Sequence, residues 1–325
     1  MNNKILVTGA AGFIGSHLTE HLVKSGYNVI AYDRYNSNND WGWLDSSKYK
    51  KEIEVILGDI RDYDSVVKAM KGCSTVFHLA ALIGIPYSYI SPLAYIRTNI
   101  EGTYNVLEAA KKHNLKNILI TSTSETYGSA QYTPIDEKHP LVGQSPYSAS
   151  KIAADQLAIS YHKSFDLPMK IVRPFNTYGP RQSARAIIPS LITQLLNDSD
   201  YLKVGNLEPM RDLTYVKDTV AGFISIYESD KLFGEVTNIG MNEKISIAKL
   251  IEQIKSIMGV SVNIKKDKDR LRPEKSEVDE LHCDNSKLIE NTLWKPNYDL
   301  KKGLTETIQW IKMNYKKFKP DAYNV

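Results

Sequence analysis

The first half of the chain alternates short apolar runs with amphipathic stretches. The runs are rich in β-branched residues and bounded by Gly, Lys or Asn, which predicts strands, and the stretches between them have helical spacing. This alternation predicts a Rossmann-type, doubly wound parallel sheet with helices on both faces, an α/β fold. The predicted strands are 4–8, 28–32, 53–57, 75–78 and 117–122, and the predicted helices are 13–25, 63–71 and 92–113.

The second half continues the pattern and then loosens. A helix over 147–165 and a strand over 169–172 are predicted, after which prolines punctuate loops between helices at 185–196, 216–229, 246–258 and 300–318. We therefore predict a dinucleotide-binding domain over 1–172, to which residues 211–242 return. The remainder, 173–325, is predicted to be mainly a smaller, interleaved α/β substrate-binding region.

Composition and charge exclude several classes of protein. The 325 residues are 42% hydrophobic and carry 41 Lys and Arg against 37 Asp and Glu, a net charge of +4 spread along the chain. A membrane span needs about 18 consecutive apolar residues, which no stretch approaches. The dispersed charge does not favour nucleic-acid binding. Two distant cysteines, Cys73 and Cys283, offer no disulfide framework or metal cluster, and the N-terminus has no signal-peptide pattern, so we expect a cytoplasmic, metal-free protein.

A glycine-rich segment follows the first predicted strand. Gly9, Gly12 and Gly15 form a GxxGxxG motif whose glycines allow a tight turn, close approach of a pyrophosphate and close helix–strand packing. The helix that begins at Phe13 and Ile14 presents free N–H groups to phosphate. The motif predicts a dinucleotide cofactor.

An acidic residue at the end of the second predicted strand indicates which dinucleotide. Asp33 follows Gly9 by 24 residues, close to the spacing of about 20 for the carboxylate that binds ribose hydroxyls. This favours NAD, whereas the adjacent Arg34 keeps NADP as a less favoured alternative. Asp59, after the third predicted strand, is either an adenine contact or a turn residue.

A tyrosine and a lysine lie one helical turn apart further along the chain. Tyr147 and Lys151 project from the same helix face, where a nearby cation makes a tyrosine phenolate accessible as a general base. A YxxxK match alone is weak in a chain with 20 tyrosines. The segment 121–128 (TSTSETYG) strengthens it, because it leaves the fifth predicted strand at the edge where parallel sheets bind ligands.

With these motifs in place, the sequence resembles the extended short-chain dehydrogenase/reductase family of nucleotide-sugar enzymes over almost its whole length. The matching elements, in order, are VTGAAGFIGSHL, GDIRD, HLAA, NIEGTYNVLEAA, STSETYG, SPYSASK, RPFNTYGPRQ, RDLTYVKD and LRPEKSE. The resemblance implies that Tyr147 is the base, Lys151 its modulator and Thr123 the partner of the reacting hydroxyl. The implied cofactor-binding residues are Gly9, Gly12, Phe13, Ile14, Gly15, Asp33, Asp59, Ile60, Leu79, Ala80, Ala81, Asn99, Tyr147 and Lys151.

The two residues after Thr123 indicate the reaction. Ser124 and Glu125 match the pattern of 4,6-dehydratases of the GDP-mannose type, and a carboxylate there suits removal of the C5 proton during loss of water. UDP-glucuronate decarboxylases share Thr-Ser-Glu, and a 4-epimerase is a further alternative. A non-catalytic dinucleotide sensor is expected to lack Tyr147, Lys151 or Glu125, and all three are present.

The resemblance also implies substrate contacts. Arg211 and Arg272 are expected to bind the diphosphate, and Asn176 and Tyr87 to contact the substrate. The unusually apolar segment 81–87 suggests an acyl group on the sugar. The sequence is most similar to the GDP-N-acetylglucosamine 4,6-dehydratases of legionaminic acid synthesis. Helices 92–113 and 147–165 resemble those that pair into a homodimer interface in this family.

Overall fold

The computed structural model describes residues 4–197 and 201–318, and its centre is a seven-stranded, fully parallel sheet. The order β11-β6-β5-β4-β1-β2-β3 is that of a doubly wound dinucleotide fold, which confirms the predicted α/β class. The strands are β1 Lys4–Thr8, β2 Asn28–Arg34, β3 Ile53–Gly58, β4 Thr75–His78, β5 Asn117–Thr121, β6 Met169–Pro174, β7 Asn176–Tyr178, β8 Tyr201–Val204, β9 Met210–Arg211, β10 Leu213–Tyr215, β11 Val236–Ile239, β12 Ile245–Ser246, β13 Asn263–Lys266 and β14 Glu280–Leu281.

Helices cover both faces of this sheet and build most of the C-terminal part. They are α1 Phe13–Lys24, α2 Tyr63–Met70, α3 Ile85–Ile90, α4 Pro92–Tyr95, α5 Gly102–Lys112, α6 Pro146–Phe165, α7 Ile187–Leu196, α8 Val216–Glu228, α9 Ile247–Met258, α10 Ser286–Asn291 and α11 Leu300–Met313. Within the described residues, none of them combines the length and hydropathy needed to cross a membrane.

The long helix predicted over 92–113 is interrupted. A π-helical turn, Ile96–Glu101, joins α4 to α5, and such turns are frequent at functional sites. By contrast, α6 runs unbroken over Pro146–Phe165, and a capping box of Ser145 and Ser148 fixes where it begins. It ends at Asp166, whose backbone is left-handed at φ 52°.

Both faces of the sheet are buried, which explains why its strands are nearly continuous apolar runs. Along β1, Leu6 packs in a core with α2, α5 and α6, whereas its neighbours Ile5 and Val7 pack in a second core with α1 and α8. A third core joins α7, α9 and α11 through residues such as Leu191 and Ile308.

The C-terminal half is interleaved with the sheet. Strand β11 pairs in parallel with β6, and α8 packs against both, so the chain returns to the main sheet before it builds α9. Small sheets of two and three strands, β7–β10, β8–β13 and β12–β9–β14, form the rest. These strands are two to four residues long and were not predicted, because such short pairings depend on contacts distant in sequence.

Some predicted boundaries are wrong by a few residues. Helix α7 begins at Ile187 rather than at 185, after an extended Ala186. The C-terminal helix ends at Met313 and is followed by a 3₁₀ turn, Tyr315–Lys317. Helix ends fray readily, so their exact positions are weakly encoded.

A buried histidine makes the fold sensitive to acid. His78 Nδ1 accepts from the Thr8 hydroxyl at 2.8 Å, and Nε2 lies 3.1 Å from the Thr103 oxygen, whose own proton goes to the Asn99 carbonyl. Burial, with a smaller contribution from the Lys151 charge, lowers the pKa of His78 to about 3. The neutral ring therefore stabilises the fold above pH 6.5, and this contribution is lost as the pH falls towards 3, where the unfolded chain alone binds the proton.

We predict that His78→Gln reduces the acid dependence of stability. His78 contributes a slope of up to about 1.4 kcal/mol per pH unit below its unfolded-state pKa, and glutamine binds no proton. Urea unfolding of both proteins at several pH values between 4 and 7 measures the slopes. Parallel slopes would contradict the assignment.

Candidate active site

The glycine-rich loop lies at the carboxyl end of β1. Gly9 has φ +70°, and a Cβ there would lie 2.8 Å from the Ala80 nitrogen, so this position needs glycine for both its conformation and its space. A Cβ on Gly15 would collide with the Gly9 carbonyl. The loop therefore lets the start of α1 approach the sheet closely.

A cleft opens beside this loop. It has a volume of about 390 Å³ and is lined by Gly12, Asp33 and Asn36 among others. Among the described residues, no side chain caps the N-terminus of α1, and no acidic residue lies in its first turn. The backbone N–H groups around Phe13 and Ile14 are therefore available to an anion. These features fit the pyrophosphate of a dinucleotide.

Asp33 links the second strand to the glycine-rich loop. Its Oδ2 accepts a hydrogen bond from the Ala11 amide at 2.7 Å, and Oδ1 accepts from the Arg34 amide at 2.7 Å. Burial raises the pKa of Asp33, which the two amide hydrogen bonds oppose. The carboxylate lines the cleft, where a ribose would reach it.

The other expected cofactor contacts lie at neighbouring strand ends. Asp59 follows β3 and pairs with Arg61 at 2.5 Å, so its carboxylate already has a cationic partner. Ile60 is buried, and a Cβ on Gly102 would lie 2.6 Å from its Cδ1. Leu79 and Ala80 follow β4, where their amides donate to the Thr8 carbonyl and hydroxyl, and Ala81 continues this loop.

Asn99 is held by protein groups alone. Its side-chain nitrogen donates to the Leu82 carbonyl and to the Ser150 hydroxyl, each at 2.9 Å, and its oxygen accepts from the Leu82 amide at 2.9 Å. It lies in the π-helical turn and is buried. Asn99 thus ties the loop after β4 to α6, and its contact with the cofactor stays a prediction.

The expected catalytic residues converge at the end of β5. Thr123 begins the 3₁₀ turn Ser124–Tyr127, and its hydroxyl accepts from the Glu125 amide at 3.3 Å. Tyr147 lies in the first turn of α6, and the Thr123 side chain lowers the pKa of its phenol. Ser124 is buried, whereas Thr123 and Glu125 are partly exposed.

The groups around Tyr147 shift the pKa of its phenol in opposite directions. Burial raises the pKa of Tyr147, and the Glu125 carboxylate adds to the rise, whereas the Thr123 hydrogen bond and the Arg185 charge lower it. Lys151 lies one turn further along α6 and donates from Nζ to the Thr121 carbonyl at 2.5 Å. Burial lowers the pKa of Lys151, and the Asp155 carboxylate opposes this.

A buried ion pair supports this loop from behind. Arg173 on β6 donates to Asp155 on α6 at 2.7 Å, and the Ser122 hydroxyl donates to the same carboxylate oxygen at 2.5 Å. The Arg173 guanidinium also lies 4.6 Å from the centre of the Tyr127 ring. Both ends of the segment 122–127 are thereby fixed to the sheet. Asp155, four residues after Lys151, was not singled out from the sequence, although the helical spacing could have indicated it.

The expected substrate arginines lie on the other side of Glu125. Arg272 Nη1 is 3.8 Å from Glu125 and 3.8 Å from Glu277, and Arg211 on β9 is 3.4 Å from Glu277. The Arg272 Nη1 atom and the Asn176 side-chain oxygen are buried without a hydrogen-bond partner among the described residues. Unpartnered buried polar atoms of this kind are satisfied by a ligand at a binding site.

Aromatic residues cover the mouth of the site. Tyr95 on α4 packs edge-to-face on Tyr147, with ring centres 6.2 Å apart, and the half-exposed Tyr87 on α3 packs against Tyr95 at 6.2 Å. Tyr95 thus lies between Tyr87 and Tyr147. Arg185, which precedes α7, also reaches this region, and nothing in the periodicity of the sequence indicated it.

A dinucleotide cleft and a tyrosine–lysine pair at the carboxyl ends of a parallel sheet define a Rossmann-type enzyme site. A sequence profile of the family described as GDP-mannose 4,6 dehydratase matches residues 6–307. The chain belongs to this family of nucleotide-sugar dehydratases, epimerases and decarboxylases.

Individual relatives within the family differ in activity. A UDP-N-acetyl-alpha-D-glucosaminuronate decarboxylase from Bacillus cytotoxicus is 33% identical, with coverage of 96% of this chain and 98% of the relative. A dTDP-glucose 4,6-dehydratase structure from Streptomyces venezuelae has a TM-score of 0.90 and 27% identity, with coverage of 98% and 99%. A Bacillus cereus UDP-glucuronic acid 4-epimerase structure has a TM-score of 0.88 and 33% identity, with coverage of 96% and 100%. Similarity to these three therefore does not select one reaction.

We predict that Arg173→Met destabilises the protein by about 3–5 kcal/mol, because it leaves the Asp155 carboxylate buried without its cation. Urea unfolding measures the loss. Lys50→Met is the control: it breaks the exposed Lys50–Asp45 pair, whose side chains are 44% and 42% exposed, and is expected to cost at most about 1 kcal/mol. Equal losses of stability in the two variants would contradict the prediction that burial makes the Arg173–Asp155 pair more costly to break.

Proposed function

We propose that the protein is an NAD-dependent nucleotide-sugar 4,6-dehydratase, which converts a nucleoside-diphosphate hexose to the 4-keto-6-deoxy sugar nucleotide. One observation carries this proposal: Glu125 lies in the 3₁₀ turn Ser124–Tyr127, which Thr123 caps, and its carboxylate raises the pKa of Tyr147. A carboxylate beside the oxidising residues suits a reaction that also breaks a C–H bond.

The cofactor is NAD, which is bound in the similar dehydratase and epimerase structures. In this chain Gly9, Gly12 and Gly15 would admit its pyrophosphate, and Asp33 would bind its adenosine ribose. Bound nicotinamide supplies hydride transfer, from C4 of the sugar at first and later to C6. The Asp33 carboxylate, which repels a 2′-phosphate, favours NAD over NADP.

Tyr147 is assigned to the first proton transfer. Its phenolate takes the proton of the sugar 4-hydroxyl as that hydroxyl becomes a ketone, and Thr123 holds the reacting hydroxyl by hydrogen bonding. Lys151, fixed to the Thr121 carbonyl, supplies a positive charge on the same face of α6. A buried site strengthens these charge effects, because little water screens them.

Glu125 is assigned to the elimination of water. The 4-ketone acidifies the proton on C5, Glu125 removes that proton and delivers it to the leaving 6-hydroxyl, and water departs. Ser124, buried beside it, orients the carboxylate or relays the proton. Hydride then adds to C6 and a proton from solvent adds to C5, while Tyr147 releases to solvent the proton that it took from the 4-hydroxyl, so the net change is the loss of one water.

The substrate diphosphate is assigned to the cations beyond Glu125. Arg211 and Arg272 have planar donor forks suited to phosphate oxygens, and the unpartnered Arg272 Nη1 and Asn176 oxygen support a ligand there. Leu82 and Ile85 pack with Tyr95 and Tyr147, so apolar surface borders the sugar end. With Tyr87 above it, this surface supports an N-acetylated sugar, and we propose GDP-N-acetylglucosamine as substrate.

A decarboxylase is the second candidate, because of Arg185. Its guanidinium lies near Tyr147, where it would bind a carboxylate on C6 of the sugar. A sugar with a C4 ketone and that carboxylate loses carbon dioxide readily, since the electrons of the broken bond pass into the ketone. The uncharged segment before Tyr147, Gln144 to Pro146, still favours the dehydratase.

The homodimer and the cytoplasmic location stay expectations. Exposed apolar side chains do occur along the helical run expected to pair, on α4, on the π-helical turn and on α5. They are Leu93, Ile96 and Tyr104.

We predict that the enzyme with NAD converts GDP-N-acetylglucosamine to a product lighter by one water. Mass spectrometry after incubation with GDP-N-acetylglucosamine, its UDP analogue, GDP-mannose, dTDP-glucose and UDP-glucuronate separates the candidates. Loss of carbon dioxide from UDP-glucuronate would favour the decarboxylase, and interconversion without a mass change the epimerase. Loss of water from another sugar nucleotide only would keep the reaction and overturn the substrate.

We predict that Glu125→Gln abolishes exchange of the C5 hydrogen with solvent and lowers kcat at least about 100-fold, because glutamine cannot take the proton. Mass spectrometry of a C5-deuterated substrate measures the exchange. Glu277→Gln is the matched control: it removes a carboxylate from the same cluster and is expected to change KM while exchange continues. Full exchange in Glu125→Gln would overturn the role of Glu125.

A further inference from the structure

Arg185 lies against the backbone of Gly84 at the mouth of the site. Gly84 precedes α3 with φ −73° and ψ 104°, a conformation open to any residue. A Cβ at this position, however, would collide with Arg185 Nη1 and lie 3.4 Å from Cζ. The close approach of the guanidinium therefore requires glycine at this position.

The same glycine connects Arg185 to the catalytic tyrosine. The Gly84 carbonyl accepts the Tyr95 hydroxyl at 2.5 Å, and the Tyr95 ring packs edge-to-face on Tyr147 at an interplanar angle of 75°. Throughout residues 4–197 and 201–318, no carboxylate forms an ion pair with Arg185, although the other buried and partly buried arginines around the site have such partners. Its charge is therefore not neutralised by an ion pair, and it lowers the pKa of Tyr147.

Few other charged or titratable groups face Tyr147. Lys151, on the same helix, donates to the Thr121 carbonyl, and Arg211 and Arg272 face Glu125 and Glu277 instead. Arg185 is thus the cation whose effect on Tyr147 opposes that of Glu125. The titratable or charged groups around Tyr147 are Glu125 on the 3₁₀ turn, Tyr95 on α4, Tyr87 behind it on α3, Arg185 before α7 and Lys151 on α6.

We propose that Arg185 is a positioning residue that acts through Tyr147: its guanidinium occupies the space that Gly84 leaves free, and its charge, which no carboxylate of the described residues pairs, stabilises the phenolate that takes the proton of the sugar hydroxyl. The proposal rests on the proposed function only through this first proton transfer. Dehydration, decarboxylation and 4-epimerisation all begin with it. A failure of the dehydratase assignment is therefore distinguishable from a failure of this proposal.

The test is the pH dependence of kcat with whichever sugar nucleotide the enzyme converts. Arg185→Gln removes the charge, which raises the pKa of Tyr147, so the acidic limb of the kcat profile moves to higher pH by about one unit. On that limb kcat falls about tenfold. Arg185→Lys retains the charge and is expected to shift the limb by less than half as much. Gly84→Ala displaces the guanidinium without removing it and is expected to shift the limb in the same direction.

The control comes from the same loop. Arg181→Gln also removes one guanidinium, but Arg181 pairs with Glu20 on α1 at 3.0 Å. The acidic limb of the kcat profile of this variant is therefore expected to match that of the wild type. An unchanged limb in Arg185→Gln, with only KM altered, would overturn the proposal and assign Arg185 to substrate binding. Equal shifts in the Arg185→Gln and Arg185→Lys variants would overturn the proposal, because they would show that the size and form of the guanidinium matter rather than its charge. A protein that converts no sugar nucleotide would contradict both the function and this proposal.

Discussion

The buried pair between Arg173 and Asp155 is the interaction on which the site depends most. It joins β6 to α6, and Ser122 adds the end of β5 through the same carboxylate. Removing two charges from water costs several kcal/mol each, which the close Arg173–Asp155 contact and the Ser122 hydrogen bond to the same Asp155 oxygen offset. The ion pair thereby fixes the segment that carries Thr123, at the end of β5, relative to the helix that carries Tyr147.

A second constraint acts at the cofactor side, and it is steric rather than electrostatic. Gly9 must approach the Ala80 backbone and Gly15 must approach Gly9, so β1, β4 and α1 converge more closely than side chains would permit. The resulting cleft borders the same sheet edge as the 3₁₀ turn. Under the proposed function, the two constraints together would place the hydride acceptor and the proton acceptor at one edge of the sheet, as the chemistry at C4 requires.

The fold and much of the site could be predicted because their signals are local. Apolar runs, GxxGxxG and YxxxK each occupy a short window, and a parallel sheet brings all strand ends to the same edge whatever the loops do. The paired strands of two residues, such as β9 and β14, have no such local signal. The position of Arg185 could not be predicted for the same reason. Its guanidinium occupies space that a side chain at position 84, a hundred residues earlier, would fill. The motif around Asn99 is local and could be found, whereas its hydrogen bonds to Leu82 and Ser150 join segments distant in sequence and could not be predicted.

The distribution of charge around Tyr147 connects these observations. Glu125 and Arg185 act on the phenol with opposite sign, and each lies on a different segment of the chain. Glu125 is further balanced by Arg272, so a diphosphate that engages Arg272 also changes the field at Glu125. In a site of low dielectric such coupling is strong, because few waters screen it. Binding of the phosphates and the proton affinity of the sugar-facing groups are therefore linked through one short chain of charges, from Arg211 and Glu277 to Tyr147.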